Sequence, residues 1–381
     1  MSPLCRGLEA FAEDATAWRH AVGARVPVYD RLLEAAVNLI GHPEGPVEAT
    51  AGARLEAAWR ERRSSTAYDR PLLLMAALRA EALRAGARHP LFAAIGAVVV
   101  DPGAARREAL AAALADAPAR LFVDLATRSV QTNETSRAVA WLWPAALAGV
   151  TDRRPVALFD IGCSGGLNLT AETLPAVWTD AAGAALSVAS SARIVSREGF
   201  DAHPLDVGRD DDVMWLRACV WPGETDRLAR LDRAVGAFLE AASSANPPRL
   251  HIADVADIPG RLGRRAAELP ADTLLLAYQT VMRDYLPEAR QKRYLADMAA
   301  WVAGEVAGGP RRIWIELETD PPADPRAPPM ALTAHVFEAA DGAGRARAIA
   351  LARCGYHPDR LAPDAPGVAS FVEDLARHQN L

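Results

Sequence analysis

Asp160-Ile161-Gly162-Cys163-Ser164-Gly165-Gly166 follows the apolar run Val156-Ala-Leu-Phe159 and precedes Leu167-Asn168-Leu169. A short continuous apolar run reads as a strand covered on both faces, and the pattern after it predicts a helix opening near Leu167. Glycines in such a turn let the backbone bend sharply and approach a ligand closely. The new helix would direct unpaired N–H groups at an acceptor. An acid two positions before the first glycine suits a ligand with a cationic amino group, such as the methionyl end of S-adenosylmethionine. The turn fits D/E-x-G-x-G-x-G, with Ser164 in place of the middle glycine. The candidate cofactor contacts are therefore Asp160, Gly162, Ser164, Gly166 and Asn168.

The same residues also spell G-x-S-x-G, the elbow that exposes a nucleophilic serine in α/β-hydrolases. Asp254 and His335 or His357 follow Ser164 in the order Ser, Asp, His. An elbow should come after several strands and an oxyanion loop, and the first 150 residues show neither. Further acids end the next two predicted strands. Asp201, in Gly199-Phe-Asp-Ala-His-Pro, could accept from ribose hydroxyls. Asp254, in His251-Ile-Ala-Asp-Val, could meet an adenine amino group. Cys163 sits where a helix terminus would lower a thiol pKa, although a buried small residue explains it as well. No HExxH, HxH, Cys/His cluster or Walker-type loop is present, so no metal is expected.

These residues need a scaffold. Residues 1 to 150 read as successive helices, with apolar faces at Leu32–Ile40, Leu72–Leu83, Ala104–Ala115 and Ala138–Leu147. From Pro155 strands alternate with helices. Strands are expected at Arg193–Ser196, Arg249–Ala253, Thr273–Tyr278, Arg311–Leu317, Ala331–Glu338 and Ala346–Ala352. Helices are expected at 211–220, 225–242, 260–268 and 287–306. A hairpin over Leu186–Ile194 is expected before the second strand, and the proline-rich Asp320–Pro329 is a loop. Alternation predicts an α/β fold with a doubly wound, mostly parallel sheet. Asp341-Gly-Ala-Gly closes it with an antiparallel C-terminal hairpin. Domains are expected at 1–150, an all-α cap or substrate domain, and 151–381, a Rossmann-like domain.

Net charge −6 and pI near 5.8 argue against nucleic acid as a partner, which needs a basic stripe. Of 42 basic residues only Lys292 is lysine, a coding bias rather than chemistry. Cys5, Cys163, Cys219 and Cys354 are far apart, as expected of reduced thiols in the cytoplasm. Charges in the first turns exclude a secretory signal, and no apolar run is long enough to span a bilayer.

The chain resembles a bacterial domain-of-unknown-function family that looks like a divergent branch of the class I methyltransferases. The resemblance rests on Val130-Gln-Thr-Asn-Glu134, Gly162-Cys-Ser-Gly-Gly-Leu-Asn-Leu169, Gly199-Phe-Asp-Ala-His-Pro-Leu-Asp206 and Leu216-Arg-Ala-Cys-Val-Trp-Pro222 with Arg227-Leu-Ala-Arg-Leu-Asp232. It departs from the family at Ser136-Arg137, where Gly-Arg is usual, at Gly223, where Asp is usual, and at Gln279, where His is common. The resemblance implies S-adenosylmethionine as cofactor and methyl transfer to a small molecule. It also places Tyr278 and Gln279 where substrate contacts are expected. Gln131, Asn133, Glu134 and Arg137 lie at the domain junction. Thr132 or Asn133 could cap the next helix. Alternatively the group overhangs the turn, with Glu134 orienting or deprotonating the acceptor and Gln131, Asn133 and Arg137 binding ligand. Trp221 could wall the pocket. Besides the hydrolase, a non-catalytic binding or regulatory protein with this fold stays open.

Overall fold

The computed structural model describes residues 6–60, 62, 69–131, 133–150, 154–324, 326–340 and 343–377. The chain forms two compact units. One comprises Met1–Thr132 with Arg209–Ala229, and the other Asn133–Gly208 with Arg230–Leu381. Domain limits near 150 therefore miss two exchanges: the segment after Asn133 belongs with the sheet, and a later helical segment belongs with the N-terminal helices.

The first unit contains helices α1 (Arg6–Val22), α2 (Pro27–Gly41), α3 (Pro46–Trp59), α4 (Asp69–Ala85), α5 (Arg107–Ala115) and α6 (Ala119–Thr127). α4 is buried on all sides from Leu73 to Ala82, as expected of a helix at the centre of a bundle. It carries two buried charges with defined partners. Arg79 donates to the Ile95 carbonyl, and Glu81 receives Arg120 at 2.6 and 2.7 Å and Arg84 at 2.8 Å.

α7 (Val139–Leu147) belongs to the second unit, whereas α8 (Asp210–Cys219) belongs to the first. α9 (Thr225–Ala242) starts in the first unit and continues into the second from Arg230. The second unit also holds α10 (Ile258–Glu268), α11 (Glu288–Ala303) and α12 (Ala365–Arg377).

Eight strands form one sheet: β1 (Pro155–Ile161), β2 (Arg193–Asp201), β3 (Arg249–Ile252), β4 (Leu274–Thr280), β5 (Arg311–Thr319), β6 (Met330–Ala340), β7 (Ala343–Cys354) and β8 (Leu361–Pro363). Their order is β3-β2-β1-β4-β5-β6-β7-β8. β1 to β5 are parallel, and β5 to β8 pair antiparallel. The fold is thus mixed α/β with helices preceding a mostly parallel sheet. β6 and β7 pair from Ala340↔Ala343 onward, while Asp341 and Gly342 of the expected turn lie outside the described residues.

β1 is buried along its whole length because both faces are covered. Val156, Leu158, Leu276 and Tyr278 face a core shared with α7 and with Phe371 and Leu375 of α12. Ala157, Phe159, Leu275 and Ala277 face the opposite core, with Leu262 of α10 and Met298 and Trp301 of α11. Among the described residues β1 is the first strand, yet it lies in the interior of the sheet, with β2 on one side and β4 on the other. The winding reverses there, and in open parallel sheets ligands bind in the crevice at such a switch point.

Two expectations are corrected. No α-helix follows the glycine turn; Leu167–Thr173 forms a 3-10 segment with non-helical angles at Thr170. Carbonyls that an α-helix would use internally are taken by side chains, Asn168 O by Trp141 Nε1 at 2.8 Å and Leu169 O by Arg197. The hairpin expected over Leu186–Ile194 is also absent, and the insertion makes only isolated bridges from Thr179 to Ala185 and Arg360. Among the described residues, no helix is long and apolar enough to cross a membrane.

Candidate functional site

Asp160 lies near the carboxyl end of β1, in register with Gly199 of β2 and Tyr278 of β4. It is 3% exposed, and among the described residues no cation pairs with it. Burial pushes its carboxyl up to about 7; the Tyr278 hydroxyl beside it pulls the value down, and Asp201 adds to the rise. Tyr278 is fully buried, and its own pKa is driven up by burial first and by Asp160 second. Its hydroxyl therefore stays protonated and is turned toward the Asp160 carboxyl. Two buried polar atoms nearby in the chain are unpartnered, Ser164 Oγ and Asn168 Oδ1. An orphaned buried polar atom costs roughly 1–3 kcal/mol, so each of these two calls for a water or a polar ligand.

The turn itself is tightly held. Gly162 N–H donates to Phe200 O at 2.8 Å, Ser164 N–H to Asp201 Oδ2 at 2.9 Å and Gly166 N–H to Cys163 O at 2.7 Å. The expected row of unpaired amides is therefore not present. Gly162 (φ +78°) and Gly166 (φ +69°) need the left-handed region, and their missing Cβ atoms make room for protein. A Cβ on Gly162 would stand 2.8 Å from Met282 Cγ, and one on Gly166 2.5 Å from Leu250 Cδ2. Ser164 adopts φ +52° without being glycine. Cys163 is buried, and burial, reinforced by Asp160 and Asp201, raises its thiol well above the ordinary value, so it is not an activated nucleophile.

Asp201 spends both oxygens on backbone, Oδ2 on Ser164 N–H and Oδ1 on His203 N–H at 2.8 Å. Asp254 is exposed and caps a short turn through Ala256 N–H at 2.9 Å, with Arg290 on the same oxygen. These bonds hold its carboxyl below the usual range. The acids at the ends of β2 and β3 thus already have backbone partners, and neither is buried like Asp160.

Asn133 reaches the turn, its Nδ2 donating to Cys163 O at 3.4 Å. Glu134 is buried and caps the following 3-10 turn through Ser136 N–H at 3.2 Å. It also faces Arg230 Nη2 at 3.3 Å and His357 Nδ1 at 3.4 Å. Arg137 Nε donates to Tyr356 O at 3.1 Å. Thr132, the alternative cap, lies outside the described residues. Gln131 and Trp221 belong to the helical unit. There Gln131 N–H meets Cys219 Sγ at 3.4 Å, and Trp221 packs edge-on against Trp18 and lines a groove with Val26, Val28 and Val100.

Tyr278 and Gln279 are adjacent in a strand and point to opposite faces. Gln279 is wholly buried on the far face, where Oε1 accepts from Tyr294 Oη and from Trp314 Nε1 at 3.2 Å, and Nε2 donates to Glu318 Oε1 at 2.9 Å. Glu318 also receives Met282 N–H at 3.0 Å, and burial pushes its carboxyl up to about 7. This network fixes the turn after β4, including Val281, a β-branched residue at φ +53°. Strained backbone of this kind clusters at functional sites. Neither Met282 nor Arg230 was singled out as a site residue from the sequence; Arg230 at least falls within the Arg227–Asp232 signature, while nothing marks Met282 or Val281.

The hydrolase constellation is not assembled. His335 bonds Glu316 at 2.7 Å and stacks on Trp314, His357 faces Glu134, Asp254 is taken by Arg290, and Ser164 Oγ has no partner among the described residues.

A mostly parallel sheet with a buried acid and a glycine turn at its switch point defines a mixed α/β protein. The chain belongs to the DUF2332 family, described as uncharacterised proteins conserved in bacteria, whose model matches residues 20–362. No curated protein and no solved structure matches the chain.

Proposed function

We propose that the end of β1 binds S-adenosylmethionine and that the protein transfers its methyl group to a small molecule. One observation carries this reading: a buried carboxyl with no cation partner among the described residues, at the switch point of a parallel sheet, followed in the chain by the buried and unpartnered Ser164 Oγ and Asn168 Oδ1. The donor set fits the ligand's polar end. Asp160 would take the amino group, Tyr278 would support that carboxylate, Ser164 Oγ would donate to the ligand's carboxylate, and Asn168 Oδ1 would accept from its amino group. The side chain of Met282 fills the space beside Gly162 and must turn aside for a nucleoside to lie on the turn.

When bound, the cofactor supplies an electrophilic methyl carbon on a sulfonium. The residues around it bind and orient. Asp160 lowers its own pKa on meeting the ammonium and so becomes the fixed counter-charge. Tyr278, held protonated, is a donor and not a base. In-line displacement depends chiefly on such positioning.

Isothermal titration with S-adenosylmethionine and S-adenosylhomocysteine, followed by mass analysis of a metabolite pool for methylated products, tests the proposal. Binding of both with a product of added methyl mass is expected. Labelling of Ser164 by a fluorophosphonate with no nucleoside binding would overturn it in favour of a hydrolase. Nucleoside binding without any product would leave a binding protein.

A further inference from the structure

The helical unit carries a recess of about 220 Å³, and every residue that lines it belongs to that unit. Val26, Val28, Val100 and Trp221 give it apolar walls, with prolines at 27, 102 and 222 beside them. A cavity of about 150 Å³ with apolar walls already accepts benzene, so this one has room for a ring with a short side arm. Its walls are stiff. The Trp221 ring packs at 80° against Trp18, with 6.1 Å between centroids. Proline fixes its own φ, and Arg31 Nη1 donates to the Pro102 carbonyl at 3.0 Å, which ties that loop to α2. A rigid apolar recess stays open to water instead of collapsing, and a ligand that fills it releases that water without paying to order the walls.

The two charges at its edge are not equivalent. Glu224 is spent on Arg227, whereas Arg25 is exposed and makes no ion pair among the described residues. α2 begins two residues after Arg25, and its N-cap, Val26, offers no side-chain acceptor, so the positive end of the helix adds to the guanidinium. We propose that this recess binds a small aromatic carboxylic acid, with its ring against Trp221 and the valines and its carboxylate on Arg25. An indole wall favours an aromatic partner in tilted or offset contact, and a guanidinium fork takes a carboxylate in two parallel bonds. The site goes beyond the methyl-transfer reading and does not rest on it, since none of its residues belongs to the sheet unit.

The test is ligand-observed NMR titration of the full chain with phenylacetate, phenylacetamide, acetate and inorganic phosphate. Phenylacetate should bind, with acetate and phosphate weaker by about tenfold or more because they lack the ring. An exposed arginine contributes modestly, so the acid should bind about three- to fivefold more tightly than its amide, and about 0.5 M salt should shrink that ratio. R25Q, at an exposed position, should bring the acid down to the amide and leave the amide within about twofold. V100F, which fills the recess, should abolish the binding of both. Equal binding of acid and amide by the unaltered chain, acetate or phosphate as tight as phenylacetate, or unchanged binding in both variants overturns the proposal. A dimer in sedimentation velocity with no acid binding also overturns it and gives the recess to a second copy of the chain. D160N should leave phenylacetate affinity unchanged, so the failure of either site is read separately from the other.

Discussion

Replacing Ser164 with glycine should make the sheet unit more stable. Two costs meet at this residue. A side chain at φ +52° sits in a region that disfavours L-residues by roughly 1–2 kcal/mol. The buried hydroxyl without a partner adds roughly 1–3 kcal/mol. Glycine removes both and returns about 0.5–1 kcal/mol through the greater freedom of the unfolded chain. The net gain is about 1–4 kcal/mol, a rise of several degrees or more in melting temperature for a unit of this size. Hydrogen exchange of β1 and β4 amides reports this unit separately from the helical one. The same variant should bind S-adenosylhomocysteine several-fold more weakly, since the lost hydroxyl is one of the polar atoms assigned to the ligand. A loss of 1 kcal/mol or more, roughly the reverse of the cost removed, would refute the reasoning, because the hydroxyl would then have a partner or the backbone would not be strained.

Stability should fall as pH rises from about 4 to about 7, because folded Asp160 keeps its proton up to about 7 while the unfolded acid loses it near 3.8. The effect is on the order of 4 kcal/mol, Glu318 acts in the same direction, and D160N should flatten the curve in urea melts. Q279A should cost about 2–4 kcal/mol by stranding Tyr294, Trp314 and Glu318, yet leave nucleoside affinity within about twofold, because Gln279 faces away from the turn. A tenfold loss of affinity in calorimetry would show that the two faces communicate. M282A should lower stability by about 2–4 kcal/mol and tighten S-adenosylhomocysteine binding, whereas weaker binding would mean that Met282 supports the ligand.

Much of the architecture was legible because periodicity reports burial. β1 read as a continuous apolar run because both its faces are covered, and α9 was found with its observed limits at 225–242 because its apolar stripe is long. β8 and α12 were missed. β8 has only three residues, and α12 begins at Ala365-Pro-Gly, which reads as a loop. The turn's glycines were visible, but the partners of its amides were not. Whether Asp201 serves Ser164 N–H or a ribose depends on a register between strands that no local pattern encodes. Leu167–Thr173 failed as a helix because Trp141 and Arg197, distant in sequence, claim its carbonyls. Tyr278 and Gln279 were grouped by position, while strand alternation sends them to opposite sides.

Calorimetry of S-adenosylmethionine binding near neutral pH, repeated in buffers of different ionisation enthalpy, most directly addresses whether Asp160 waits for a cation. Binding should release about half a proton per ligand at pH 7, as a carboxyl poised near that value ionises against the ammonium, and D160N should abolish the release and weaken binding at least tenfold. Binding with no proton release and equal affinity in D160N, or no binding at all, would contradict it.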